Sequence, residues 1–235
     1  MIAVDLSGRA VAVTGGFGTL GASVGRCLAD AGAQVALLDR SAAVTPAASG
    51  ITGAFLLGAV DLGVPEACRG AVEQLVQRFG RVDALVNVAG GFRWEKVEGG
   101  SVDTWDLLYQ MNLRTAVNMT QAALPHLLAS AAGRVVNVGA GAAVKAGTGM
   151  GAYAASKAGV ARFTEALAEE LKDRNVTVNA VLPSIIDTAP NRADMPTADF
   201  SRWVKPEEIA VVIAFLLSDH ARAITGALIP VSGRV

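Results

Sequence analysis

The 235-residue sequence predicts an α/β fold, a doubly wound parallel sheet flanked by helices on both faces. Three observations predict it. Short continuous apolar runs alternate with longer amphipathic stretches along the whole chain, as strands buried by crossover helices require. Glycines cluster at the ends of those runs rather than in linkers. No Pro/Gly/Ser-rich linker, charge block or internal repeat divides the chain, so residues 1–235 read as one dinucleotide-binding and catalytic domain.

The apolar runs place strands at Ala10–Thr14, Gln34–Leu38, Ala54–Asp61, Asp83–Asn87, Arg134–Val138, Thr177–Leu182 and Ala227–Val231. The amphipathic stretches between them place helices at Leu20–Ala31, Pro65–Phe79, Thr104–Ala131, Met150–Lys172 and Pro206–Ser218. Residues 184–203, SIIDTAPNRADMPTADFSRW, are the least regular part. A loop after a late strand of an open α/β sheet lies at the carboxyl edge, where ligands bind, so this segment is the expected substrate lid.

Composition narrows the function. With 52% hydrophobic and 17% charged residues the chain can bury a sizeable core, which excludes disorder and fibrous architectures. Lys+Arg 20 against Asp+Glu 21 leaves a net charge of −1 without a basic stripe, so no nucleic-acid partner is expected. Cys27 and Cys68 are far apart, and His126 and His220 are the only histidines, so neither a disulfide framework nor a metal site is expected. A cytoplasmic location fits this cysteine usage. Mean hydropathy is +0.42, yet no run reaches the roughly 18 to 20 apolar residues of a membrane span, and the N-terminal residues lack a secretory pattern.

The first strand runs into Thr14-Gly15-Gly16-Phe17-Gly18-Thr19-Leu20-Gly21, followed by a helix. Gly16, Gly18 and Gly21 satisfy G-x-G-x-x-G, a turn that lets backbone approach a pyrophosphate at a helix N-terminus. Asp39 ends the second strand about twenty residues on, where it can accept hydrogen bonds from the adenosine ribose hydroxyls and repel a 2′-phosphate. NAD(H) is therefore favoured. Arg40 could instead pair with a 2′-phosphate and keeps NADP(H) possible. Asp61, at the end of the third strand, could meet the adenine amino group or cap a turn.

Tyr153 and Lys157 are spaced i and i+4, on one face of a helix. A phenol of pKa about 10 needs roughly 4 kcal/mol of preferential phenolate stabilisation to titrate near neutrality. An ammonium at 4 Å supplies about that at an effective dielectric of 20. The pair thus offers general acid/base chemistry.

These residues occur in one order with Asn87-Val88-Ala89-Gly90 after the fourth strand, Asn112 in a long helix and Pro183 after the sixth strand. In this order and spacing the whole chain resembles the classical short-chain dehydrogenase/reductase family. The resemblance implies a Rossmann-like domain, a nicotinamide cofactor and a homodimer or homotetramer. It implies Tyr153 as general acid/base, Lys157 on the nicotinamide ribose, Asn112 supporting a proton-relay water and Thr188 at the carboxamide. The cofactor surface it implies comprises Gly15, Gly16, Phe17, Gly18, Thr19, Leu20 and Gly21; Asp39, Arg40, Asp61 and Leu62; Asn87, Ala89 and Gly90; Tyr153 and Lys157; and Pro183, Ser184, Ile186 and Thr188. For the oligomer, apolar residues on several faces of the helices at 104–131 and 150–172, among them Val117, Ala122, Phe163 and Leu167, suggest the contact surface.

Three departures stand out. Thr19 takes the place of the loop's usual middle glycine, and Pro183-Ser184 replaces the usual Pro-Gly. The family's catalytic serine lies thirteen positions before the tyrosine, where this chain has Ala140, and no serine lies between residues 131 and 153. Removing one oxyanion donor costs on the order of 10²–10³ in kcat in acyl transfer, unless Ser184, Thr148 or a water substitutes.

Dihydropteridine reductases, a branch of the family, also lack this serine, and the stretches at 139–150 and 187–203 are similar to theirs. Three functions follow. The first is an oxidoreductase moving a hydride between nicotinamide and a small carbonyl, alcohol or conjugated heterocycle. The second is a quinonoid dihydropteridine reductase-like enzyme, and the third a cofactor-binding sensor or scaffold with little catalysis. Ala140, Phe92 and Trp203, on segments at the carboxyl edge, are the candidate substrate contacts.

Overall fold

The computed structural model describes residues 4–235. Seven strands, β1 (Ala10–Thr14), β2 (Gln34–Leu38), β3 (Phe55–Leu57), β4 (Ala84–Asn87), β5 (Gly133–Val138), β6 (Val176–Pro183) and β7 (Leu228–Val231), form one sheet in the order β3-β2-β1-β4-β5-β6-β7. Every pairing is parallel. The winding reverses between β1 and β4, and a crevice opens at their carboxyl ends.

Alternating side chains of the strands feed two cores. Val11 and Val13 of β1 face one side, where Val24 and Leu28 of α1 (Thr19–Asp30) meet Ile209 and Ile213 of α8 (Pro206–Leu217). Ala12 faces the other, against Leu75 of α3 (Pro65–Phe79), Met119 and Leu127 of α5 (Thr115–Ala129) and Leu167 of α6 (Gly151–Leu171). Short helices α2 (Pro46–Ser49) and α7 (Ala189–Asp194) decorate the loops. No helix among the described residues is long and apolar enough to cross a membrane.

Two expected elements differ. The third strand is three residues rather than eight, because Ala59, two residues past its end, takes a left-handed φ of 58° and β3 pairs only with β2. The helix expected over 104–131 is broken into α4 (Val102–Tyr109), a π-helical turn (Gln110–Arg114) and α5. A π turn inserts an extra residue and re-aims the side chains around it. Here it carries Asn112 under the β4 loop, where its Oδ1 accepts from the Gly91 N–H at 2.8 Å and its Nδ2 donates to the Gly91 carbonyl at 3.1 Å.

Candidate active site

A cleft of about 850 Å³ lies along the carboxyl ends of β1, β2, β4, β5 and β6. At one end Gly15 has a φ of 63°, and a Cβ there would stand 2.9 Å from the backbone of Ala89. A Cβ on Gly21 would stand 2.1 Å from the Gly15 carbonyl oxygen, so the loop is shaped by what glycine lacks. The first intrahelical bond of α1 runs from the Ala22 N–H to the Gly18 carbonyl, and no side chain caps the helix. The N–H groups of Thr19, Leu20 and Gly21 are thus free to receive an anion. Thr19 lines the cleft with Leu20 and Gly21.

Asp39 also faces the cleft. Its carboxylate accepts from the Phe17 N–H at 3.0 Å and the Ser41 N–H at 2.9 Å, which fixes its direction and leaves lone pairs for ribose hydroxyls. Arg40 lies exposed beside it. Asp61 accepts from the Gly63 N–H at 2.8 Å, the local turn that was the alternative for it, and still lines the cleft with Leu62. The residues present therefore fit a nicotinamide dinucleotide: an uncapped helix end for the pyrophosphate, a carboxylate for the ribose and, at the far end, a buried cation.

That cation is Lys157. It is 5% exposed, its Nζ donates to the Val138 carbonyl at 2.8 Å, and burial pulls its ammonium down to about 8. Tyr153, one turn earlier on α6, lines the same part of the cleft, and burial pushes its phenol up to about 12. The lowered phenol expected from the lysine is not seen: with the ammonium drawn to Val138, desolvation alone sets Tyr153. A Cβ on Gly90 would stand 2.5 Å from Asn112 Oδ1 and 3.4 Å from Lys157 Nζ, so only glycine lets the β4 loop lie against both. Asn112 itself is buried, and its Nδ2 also donates to Ser156 Oγ at 2.9 Å. Ser156 in turn donates to the Tyr153 carbonyl at 2.7 Å, a side-chain link from the π turn to the tyrosine's helix.

Several expected contacts lie elsewhere. Gly16 packs so closely on β2 that a Cβ would stand 2.6 Å from Leu37 Cβ, and Phe17 is buried in the core, so neither side faces the cleft. Asn87 is buried beneath it, its Nδ2 donating to Thr120 Oγ1 at 3.0 Å and Asn137 Oδ1 at 2.9 Å. Trp203 is 5% exposed, its ring tilted at 56° to that of Phe200 with 4.8 Å between centroids, and it does not line the cleft. Phe92 does reach the site, its ring edge-on to Tyr153 at 4.9 Å, and Ala140 lines the cleft. Ala89, Pro183, Ser184, Ile186 and Thr188 line it as well. Neither proposed substitute for the serine is placed to act. Ser184 Oγ donates to the Ser232 carbonyl at 2.7 Å, and Thr148 does not line the cleft.

Leu107, Gln110 and Met111 line the cleft too, and the sequence reading missed them. Gln110 and Met111 lie in the π turn, which turns them differently from a regular helix over 104–131, and Leu107 lies on α4 just before it. The exposed apolar surface also lies elsewhere than expected. Leu167 is buried, and Ala122 and Phe163 pack against the core, whereas Val102, Trp105 and Tyr109 of α4 are exposed.

A family profile described as short chain dehydrogenase matches residues 9–198. The chain belongs to the short-chain dehydrogenase family. The enzyme is 33% identical over 243 residues to a 3-oxoacyl-(acyl-carrier-protein) reductase of Thermotoga maritima, covering 97% of this chain and 98% of that protein. It is also 33% identical over 241 residues to a D-threitol dehydrogenase of Mycolicibacterium smegmatis, covering 97% and 93%. Among solved structures, an NAD+-bound xylitol dehydrogenase superposes with a TM-score of 0.89 at 26% identity, covering 97% of this chain and 98% of that one. The short-chain dehydrogenase is accordingly an NAD(P)-dependent oxidoreductase. These relatives do not favour the pteridine reductase or the non-catalytic scaffold.

Proposed function

We propose that the enzyme interconverts a carbonyl compound and its alcohol, with Tyr153 as proton donor or acceptor and NAD(H) as the preferred cofactor. The observation that carries this reading is that Tyr153 and the buried, carboxylate-free Lys157 line the same cleft as the glycine loop. Nicotinamide, when bound, supplies or receives the hydride. Tyr153 keeps its proton at neutral pH and stands ready to deliver it to a carbonyl oxygen. Lys157 brings positive charge to the floor of the site, where it can bind ribose hydroxyls with its remaining donors. Asn112 is a positioning residue, bracing the Gly91 loop and, through Ser156, the turn that carries Tyr153.

Asp39 supports NAD(H), because its carboxylate is held facing the cleft by two backbone N–H groups. NADH should bind at least about tenfold more tightly than NADPH, or about 1.4 kcal/mol, at one ionic strength. An NADPH preference of that size would assign the choice to Arg40. The segment 184–203 serves as substrate lid, a role supported by its position over the carboxyl edge and by its bidentate Asp187–Arg192 pair. A homodimer or homotetramer is supported by the exposed apolar face of α4, and a monomer by light scattering at micromolar concentration would contradict it. We assign the enzyme to the cytoplasm, as its cysteine usage suggests.

A further inference from the structure

Around Tyr153 the cleft has a wall of carbon and sulfur. Phe92 meets the Tyr153 ring edge-on at 4.9 Å, and the Met111 sulfur closes so tightly on Gly91 that a Cβ there would stand 2.3 Å from it. Leu107, one turn before Met111, and Ala140, next to the strand whose Val138 carbonyl holds Lys157, complete the wall.

The hydroxyls that could make this end polar are committed elsewhere. Thr115 Oγ1 donates to the Met111 carbonyl at 2.8 Å, Ser156 Oγ to the Tyr153 carbonyl at 2.7 Å, and Ser184 Oγ to the Ser232 carbonyl at 2.7 Å. The lid's arginine is committed too: Arg192 grips Asp187 through Nε and a terminal nitrogen, and its guanidinium lies 4.8 Å from the Phe200 ring centroid. Besides the Lys157 ammonium, assigned above to the ribose, the described side chains of the cleft leave only the Tyr153 and Thr188 hydroxyls and the exposed Gln110 amide to meet a substrate's polar groups.

We propose that this end takes an uncharged carbonyl compound with an apolar body, an alkyl or aryl ketone or aldehyde or the matching alcohol, and rejects polyols and carboxylates. The proposal rests on the reading of Tyr153 as proton donor. In reduction the carbonyl carbon gains a hydride, two electrons and a proton, from the reduced nicotinamide, which leaves oxidised. The carbonyl oxygen gains the phenolic proton, so the C=O π bond gives way to one C–H and one O–H bond.

An apolar body is drawn out of water by this wall, while each hydroxyl buried without a partner loses about ten- to hundredfold in affinity. A carboxylate would be stripped of water with no cation beyond Lys157, whose Nζ is bonded to the Val138 carbonyl and whose other donors are assigned to the cofactor ribose. The site therefore differs from what the names of the threitol and xylitol dehydrogenases say of those proteins.

The test compares three ketones on the full chain with NADH, namely 2-octanone, erythrulose and levulinate. Apolar, polyhydroxylated and anionic bodies are then reduced in one direction. The expected result is a kcat/KM for 2-octanone about hundredfold above either of the others. Equal or better turnover of erythrulose or levulinate overturns the proposal and leaves the Tyr153 reading standing. No turnover of any ketone, with NADH still bound by fluorescence, overturns that reading and this one with it. Leu107→Lys sets a cation into the wall at a half-exposed position, so it should raise kcat/KM for levulinate at least about tenfold and lower it for 2-octanone. Unchanged ratios would show that this wall does not face the substrate.

Discussion

At the glycine end of the cleft the contacts are between backbone atoms: Gly15 lies against Ala89, Gly21 against the Gly15 carbonyl, and the helix offers bare N–H groups. At the Tyr153 end, side chains do the holding, with Asn112 bracing Gly91, Ser156 bonding the Tyr153 carbonyl and Lys157 anchored on Val138. A backbone-built site tolerates almost no side chain but asks little of residue identity elsewhere. A side-chain-built site can lose one member, as at Ala140, and keep its shape. The first half is therefore constrained toward one ligand, and the second is where chemistry and substrate can change.

Ala140→Ser sharpens this contrast most strongly. It restores a donor beside a developing oxyanion in the tolerant half, so kcat/KM for ketones should rise by up to about 10²–10³ while NADH affinity stays level. Steady-state kinetics on one ketone, wild type against variant, reads it. A flat or lower rate would mean that the oxyanion does not form beside Ala140.

The comparison also explains what could be read in advance. The doubly wound parallel sheet and the glycine turn were legible, because buried strands and backbone-shaped turns leave residue-type signatures, and the positions picked out at Asp39, Tyr153 and Lys157 all line the cleft. The π turn was not: its inserted residue is stabilised by Asn112 reaching Gly91, 21 positions away, a tertiary contact with no local pattern. With it were lost Gln110 and Met111, which it carries. Trp203 and Phe17 are buried and do not line the cleft, since position in a loop does not say which way a side chain turns. The phenol of Tyr153 was expected to fall toward neutrality because spacing brings Lys157 near it, but only the structure shows the ammonium bonded to the Val138 carbonyl.

Gly21→Ala probes the intolerant half. Its Cβ would sit 2.1 Å from a carbonyl oxygen that cannot move without opening the loop. NADH affinity should fall more than about tenfold, with roughly 1–3 kcal/mol of lost stability, as for other overpacked sites. Isothermal titration and thermal melts would reveal it, and an unchanged dissociation constant would show that the loop has slack.

The smallest effect concerns the buried lysine. Its folded pKa of about 8 lies below the ordinary 10.5, so between these values the unfolded chain holds more protons than the folded one. Stability of the cofactor-free protein should therefore rise as pH passes 8, by at most about 1.4 kcal/mol per pH unit. Below pH 8 the cost of the buried charge is present in full. The rise should be absent from Lys157→Met, so melts of both proteins at pH 7 to 9 isolate it; parallel curves would place the ammonium in water.

The division between a backbone half that binds and a side-chain half that reacts is tested most directly by measuring two quantities on Tyr153→Phe. The NADH dissociation constant should stay within about threefold of wild type, since the uncapped helix and Asp39 are untouched. Turnover of an accepted ketone should fall by about 10²–10⁴, the usual weight of a general acid. Turnover equal to wild type, with NADH bound normally, would contradict the account.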